Sequence, residues 1–335
     1  MDAIILVGGQ GTRLRPLTLT RHKSLVPVCN RPAIEYLFDW LAEHGIERAV
    51  LALGQANEDL AEAYPAGLHC GVKIVPVLET TRLESGGAIR NAVRNADVAG
   101  RFVVLNGDIF VDFDLRAALA EHETRHADLT LALRRVDDPS QFGVAVLDGD
   151  HIVTGFVEKP PPGSAPSKLV NAGVWIFEPG LVDEIPPGAV RVEETLFPSL
   201  VGRRRPVLGY EFTGLWADIG TPARYRDINV ALASRPGAVA ASVSREADAV
   251  VDLSVVGDGS SLGRDSTVMT SVLWERVSVG TGASVVGSVL ADGVEVGEGA
   301  VIDGLVAGSG ASIPAHAVVP RGTSLQPGAR YDARR

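Results

Sequence analysis

Ala3-Ile4-Ile5-Leu6-Val7-Gly8-Gly9-Gln10-Gly11-Thr12-Arg13-Leu14-Arg15 is the stretch that decides the fold. A short apolar strand runs directly into a glycine-rich, basic loop. Glycines at a strand end let backbone N–H groups approach an anion without side chains in the way. Arg13, Arg15 and the nearby Lys23 add positive charge, which suits the loop to phosphates. It is not a Walker loop, because no Gly-Lys-Ser/Thr follows at the right offset. It also fits the dinucleotide fingerprint poorly, since Leu14 stands where a glycine or alanine belongs.

Outward from this strand the segments alternate. Residues 32–44 predict a helix with Pro32 near its first turn and Gly45 as its stop. Residues 48–53, 72–77 and 102–106 predict strands, the last ending at Gly107-Asp108. Ser85 is expected to cap a helix through Ala96, and residues 115–126 predict another helix. The βαβα order predicts an α/β fold: a doubly wound, mostly parallel, Rossmann-like sheet, with ligands beyond the carboxyl ends of its strands. Strand-like segments at 129–133, 144–147, 152–157 and 170–177 crowd together and predict an added mixed or antiparallel region.

Ser234-Arg235-Pro236-Gly237 reads as a linker, separating domains at 1–232 and 238–325. Beyond it aromatics almost vanish and Val, Gly, Ser and Ala dominate. Ser254-Val255-Val256, Ser271-Val272-Leu273, Ser288-Val289-Leu290 and Leu305-Val306-Ala307 recur at a spacing of seventeen. Leu262, Val279, Val296 and Ile313 fall in the same register, and so do Val268, Val285, Ile302 and Val319. Apolar residues about six apart, with glycines at the corners, predict a parallel β-helix of hexapeptides.

The bulk properties narrow the function. The 335 residues are 46 % hydrophobic and 21 % charged, an ordinary globular balance. A net charge of −10 argues against nucleic-acid and membrane-surface partners, which favour basic faces. No apolar run is long enough to span a membrane, and the first one is too short for a signal peptide, so a cytoplasmic location is expected. Cys29 and Cys70 make no disulfide framework, and the seven histidines lack metal-ligand spacing.

Seven ordered motifs then carry a resemblance over nearly the whole chain. They are Gly8–Leu14 with Pro16-Leu17-Thr18 and Lys23-x-Leu25-Val26-Pro27-Val28; Leu83-Glu84-Ser85-Gly86-Gly87-Ala88; Asn106-Gly107-Asp108; Phe142-Gly143-Val144; Glu158-Lys159-Pro160; Asn171-Ala172-Gly173; and Trp216-x-Asp218-Ile219-Gly220-Thr221-Pro222. In these the chain resembles the sugar-1-phosphate nucleotidylyltransferases. The resemblance implies that a sugar 1-phosphate oxygen attacks the α-phosphorus of a nucleoside triphosphate and pyrophosphate leaves. Both reactants are polyanions, so the problem is charge neutralisation and placement. By resemblance, Leu6, Gly8, Gly9, Gly11 and Thr12 hold the nucleotide, Arg13 neutralises the leaving pyrophosphate, and Lys23 meets the α-phosphate or the sugar phosphate. Ser85 and Gly86 also line the nucleotide. Asp108 and Asp218 match the family's two Mg2+ ligands, Asp108 being catalytic as well. Asn106, Gly143, Glu158, Lys159, Asn171, Gly173 and Trp216 line the sugar, although Trp216 also reads as a core tryptophan. The β-helix is expected to be a left-handed assembly or regulatory platform for a homo-oligomer.

Glu79 stands where the family often reads the base. An ionised carboxylate only accepts hydrogen bonds, and guanine offers it two adjacent donors. This favours GTP over UTP or dTTP, and the Leu6-Val7-Gly8-Gly9 opening resembles the GDP-mannose pyrophosphorylases; the resemblance favours mannose 1-phosphate, while neither feature identifies the sugar. Uridylyl or thymidylyl transfer to another hexose or heptose 1-phosphate stays open, as does a non-catalytic regulatory subunit. An acyltransferase coil rests only on His316. The chain departs from the family pattern at His22, Ser24, Glu84 and Gly86.

Overall fold

Strand Asp2–Leu6 pairs in parallel with Arg48–Leu53 on one side and with Phe102–Asn106 on the other. The structure, a computed structural model, describes residues 1–54 and 57–332. It forms two compact units: Met1–Gly9 with Ile34–Ala217, and Gln10–Ala33 with Asp218–Arg335.

The first unit is built on a ten-stranded sheet. From Asp2–Leu6 the chain winds one way through Arg48–Leu53 to Val72–Leu78, then returns to Phe102–Asn106 on the opposite flank. The central strands read as apolar runs because both faces are covered: Ile4, Val50, Phe102 and Val104 belong to one buried core with Trp175, Phe177 and Phe197. Helix Ala33–Glu43 buries Ile34, Leu37, Phe38 and Leu41, spaced three and four apart as one helix face requires. Leu169–Phe177 lies antiparallel to Phe102–Asn106, Leu129–Arg135 and Gly143–Leu147, and the last of these is antiparallel to Val153–Glu158. The crowded strands after residue 127 therefore form the added antiparallel region. A separate two-stranded sheet joins Ile109–Val111 to Trp216–Asp218.

In the second unit the seventeen-residue register becomes three parallel five-stranded sheets. Val255, Val272, Val289 and Val306 are successive partners in one sheet, Leu262, Val279, Val296 and Ile313 in the next, and Val268, Val285, Ile302 and Val319 in the third. All but Val306 among these are buried. The latter two rows, with Val256, Leu273, Leu290 and Ala307, form the coil's own core, where each inward Val, Leu or Ile contributes roughly 1.5–3 kcal/mol, available only once a neighbouring coil covers it. The repeating serines have a separate job. Ser254 Oγ accepts from Ser271 N at 3.0 Å, Ser271 Oγ from Ser288 N at 3.1 Å, and Ser288 Oγ from Leu305 N at 3.1 Å. They satisfy corner N–H groups inside the stack.

The 234–237 stretch is not a loose tether. Asn30 Nδ2 donates to the carbonyls of Gly237, Ala238 and Val256 at 2.9–3.1 Å, all within the second unit. The signal lay more than 200 residues away in the sequence, where no local composition reports it. Among the described residues no helix is long and apolar enough to cross a membrane.

His122 is fully buried at the end of helix Leu115–Thr124, with Nδ1 2.7 Å from Thr130 Oγ1 and Nε2 3.2 Å from Glu178 Oε1. Burial pushes its pKa down, Arg101 adds to this, and Glu178 and Glu123 pull the other way. The unfolded chain therefore binds the proton more readily, and stability falls as pH drops through the ordinary imidazole value of about 6.5. We expect the thermal midpoint to fall between pH 7.5 and pH 5.5 (about these values), and to fall less in His122→Gln. A pH series of thermal melts checks this.

Candidate functional site

In the first unit the carboxyl end of Asp2–Leu6 is tied to both of its neighbours. Gly107 N donates to Leu6 O at 2.9 Å, and Val7 N donates to Ala52 O at 3.2 Å. Gly8, Gly9 and Gln10 follow, exposed. Glu79, one residue past strand Val72–Leu78, is only 5 % exposed. Its N–H donates to Leu53 O at 2.8 Å, and its Oε2 accepts from Leu83 N at 3.1 Å. Its Oε1 lies 3.5 Å from where a Cβ on Gly8 would stand. The fold thus brings the expected base reader to the glycine loop. Burial raises the Glu79 pKa, the Leu83 N–H lowers it, and the Glu84 charge raises it further, leaving it above the ordinary carboxylate range.

Ser85 does not cap its helix. Helix Glu84–Asn95 begins one residue earlier and has no side-chain cap. Instead Ser85 Oγ donates to Glu193 Oε2 at 2.5 Å and accepts from Val192 N at 3.1 Å. A partner 108 residues away takes the hydroxyl that local propensity assigns to capping. The Gly86 N–H is likewise engaged, by Val190 O at 2.8 Å. Glu193 and Arg191 therefore belong to the surroundings of the site, although no motif singled them out. Burial raises the Glu193 pKa, and the nearby Glu158 adds to the rise.

The residues expected around a sugar converge. Lys159 Nζ donates to Glu158 Oε1 at 3.0 Å, and Lys159 N donates to Phe142 O at 3.0 Å. Gly143 opens its strand so close to Glu158 that a Cβ there would lie 2.7 Å from Oε2. Phe142 meets Trp216 edge-on with ring centroids 5.3 Å apart. Trp216 Nε1 donates to Ala172 O at 2.9 Å. Asn171 Oδ1 accepts from Gly173 N at 3.1 Å and from Trp175 Nε1 at 2.7 Å. Gly173 has φ +79°, and a Cβ there would lie 2.6 Å from Asn106 Nδ2. Asn106, Gly143, Glu158, Lys159, Asn171, Gly173 and Trp216 are thus linked through shared neighbours. Asp108 directly precedes Ile109–Val111.

The second unit carries a further group of the expected residues. Gly11 is left-handed at φ +59°, and its carbonyl accepts from Thr18 Oγ1 at 2.7 Å. A Cβ on Gly11 would lie 3.0 Å from Lys23 Cβ, so the loop folds back on itself and brings Lys23 against its first glycine turn. Thr12 and Arg13 begin a 3-10 turn and are exposed. Asp218 Oδ2 accepts from Arg224 Nη1 at 2.8 Å. A Cβ on Gly220 would lie within 2.9 Å of both Asp218 oxygens and 3.1 Å from Arg13 Nη2, which sets Arg13 beside Asp218. Arg224 was passed over in the sequence. Thr221 caps helix Pro222–Leu232, and this cap places Arg224 in its first turn. The Thr221-Pro222 pair was the available signal. Among the described residues no three His, Cys, Asp or Glu side chains gather into a metal cage.

The chain matches the nucleotidyl transferase family over residues 2–235 and a GlmU-like C-terminal hexapeptide family over residues 236–329. A mannose-1-phosphate guanylyltransferase of Mycobacterium tuberculosis is 37 % identical over 229 residues, covering 66 % of this chain and 62 % of the relative. A mannose-1-phosphate guanylyltransferase catalytic subunit beta of Danio rerio is 35 % identical, covering 66 % and 62 %. The matched region thus spans under two thirds of the length of these relatives. The crystal structure of HddC from Yersinia pseudotuberculosis superposes with a TM-score of 0.59 at 25 % identity, over 68 % of this chain and 97 % of that one. HddC has also been solved complexed with GMP-PN.

Gly173→Ala should cost about 1–3 kcal/mol, because the left-handed backbone and the Asn106 amide both oppose a side chain. Urea denaturation checks this, and a midpoint equal to wild type would contradict it.

Proposed function

The chain belongs to the nucleotidyl transferase family, and we propose that it makes a nucleotide-sugar from GTP and mannose 1-phosphate. A phosphate oxygen of the sugar attacks the α-phosphorus, the bond to the β-phosphate oxygen breaks, and pyrophosphate leaves. In this reading residues 1–232 are catalytic and residues 238–325 form the coil. The observation that carries the base assignment is the buried Glu79 carboxylate beside Gly8. When ionised it accepts from guanine N1–H and the 2-amino group, a pair of donors that uracil and thymine lack. The loop amides of Gly8–Thr12 and the Arg13 guanidinium offset the triphosphate charge, and Lys23 stabilises charge growing on the transferred phosphate. Glu158 and Asn171 accept from sugar hydroxyls, and Lys159 meets the sugar phosphate.

Asp108 and Asp218 each offer hard carboxylate oxygens of the kind that hold Mg2+ alongside waters and substrate phosphates. Bound there, Mg2+ would supply further positive charge to the phosphates. Arg224 holds the Asp218 carboxylate in one orientation through its 2.8 Å bond.

Lys23→Ala should lower kcat by about 10²–10³-fold. Pyrophosphate release should require a divalent cation and stop with a chelator. A panel of nucleoside triphosphates and sugar 1-phosphates decides specificity: turnover with UTP or dTTP alone overturns the guanine reading, and no turnover with any pair favours a regulatory subunit.

Glu79 also sets a pH dependence. Its raised pKa means that the accepting, ionised form is lost at a higher pH than for an ordinary glutamate. The KM for GTP should therefore rise as pH drops from about 7 to about 5, and Glu79→Gln should flatten that rise. Initial-rate KM values across this range provide the check.

A further inference from the structure

The coil is nearly free of aromatic rings: past residue 238 only Trp274 and Tyr331 occur. Trp274 is also almost fully buried, at 1 % exposure. Over one face of its ring lies the Arg21 guanidinium, 4.9 Å from the centroid. Arg21 Nη2 donates to Asp292 Oδ2 at 2.9 Å, and Asp292 Oδ1 accepts from Glu275 N at 3.2 Å, one residue beyond the tryptophan. The indole has a second tie. Trp274 Nε1 donates to Tyr225 Oη at 2.8 Å, and the Tyr225 hydroxyl donates to Pro27 O. All these groups lie in the second unit.

Arg21 and Pro27 bracket Lys23. Between them the backbone makes only a short 3-10 turn, with Leu25 N donating to His22 O at 2.9 Å and Val26 N to Lys23 O at 3.4 Å. A turn this short has few bonds of its own, Ser24 N to His22 Nδ1 at 3.1 Å being another, so what holds its ends contributes to its placement. Both ends run to the same buried indole. Burial also keeps the Tyr225 hydroxyl protonated far above the ordinary phenol range, so that arm persists across working pH.

We propose that Trp274 is a positioning residue that fixes the Lys23 loop at both ends, through Arg21 on one side and Tyr225 on the other. The functional consequence rests on the phosphate-binding reading of Lys23, whereas the anchoring does not. The test uses the full chain and two readouts. In Trp274→Leu, hydrogen exchange at the Leu25 and Val26 amides should speed up about tenfold or more, while coil amides such as Val289 and Leu290 stay as in wild type. In pyrophosphate release, Trp274→Leu should lower kcat about ten- to hundredfold. Trp274→Phe removes the indole N–H that ties Tyr225 and keeps a ring under Arg21, and Tyr225→Phe removes both the indole's acceptor and the Pro27 donor, so each should fall between wild type and Trp274→Leu. They also keep the test readable if Trp274→Leu fails to fold. In a Lys23→Ala background, Trp274→Leu should cost nothing further, because the group it positions is gone. Unchanged exchange at Leu25 and Val26, or an equal loss in both backgrounds, overturns the proposal. If wild type releases no pyrophosphate with any substrate pair, the functional reading fails while the exchange result still decides the anchoring.

Discussion

The first unit depends on one constraint: strand Asp2–Leu6 has neighbours that the chain reaches by winding in opposite directions. Loops leaving such a strand and its neighbour must diverge, and a crevice opens at their carboxyl ends. Gly8 and Gly107 both stand there, and the Gly107 to Leu6 hydrogen bond closes the floor. Val72–Leu78, one strand further out, delivers Glu79 to the same edge. A carboxylate at that position is costly to bury, which the rise in its pKa reflects, and the Leu83 N–H offsets only part of the cost. A group held in this way by the backbone is already oriented before a ligand arrives.

In the proposed reaction the difficulty is repulsion between two phosphoesters, and the remedy is positive charge that does not have to move. The second unit shows how such charge is fixed. Arg13 and Arg224 approach one carboxylate, Asp218, and Arg224 is set by a capped helix. An arginine tied to a carboxylate gives up little further side-chain freedom when an anion arrives, so more of its attraction remains for the phosphate. Glu158 and Lys159 show the same economy in the first unit, where a 3.0 Å ion pair presents an acceptor and a cation side by side.

What was legible in the sequence was periodic or contiguous. The seventeen-residue spacing reports the coil because each inward residue contacts its counterpart one turn later, a fixed distance along the chain. Strand Phe102–Asn106 was readable end to end because burial on both faces leaves a solid apolar run. The motif residues around Asn106, Asn171 and Trp216 were readable as types, and the structure links them through Ala172 and Gly173. What escaped was pairing at long separation. Ser85 looks like a cap until Glu193 is seen to take its hydroxyl. The 234–237 stretch looks like a tether until Asn30 is seen to pin it. Neither partner leaves any mark on the composition around the residue it redirects.

A stack of short coils is an unusual support for the turn that carries Lys23, and its physical merit is stiffness. Successive turns stack inward apolar residues, and Ser254, Ser271 and Ser288 each bond an amide of the next turn, so deforming one coil disturbs its neighbours on both sides. Small side chains achieve this packing, and a large ring breaks the pattern. A tryptophan tolerated there must make contacts that the repeat alone does not need. Trp274 makes them outside the repeat, to Arg21 and Tyr225, and a bulky flat ring in a stiff wall can hold two points of one segment at a set separation. The coil residue least like its neighbours thus has partners outside the coil, as Asp292 beside it does.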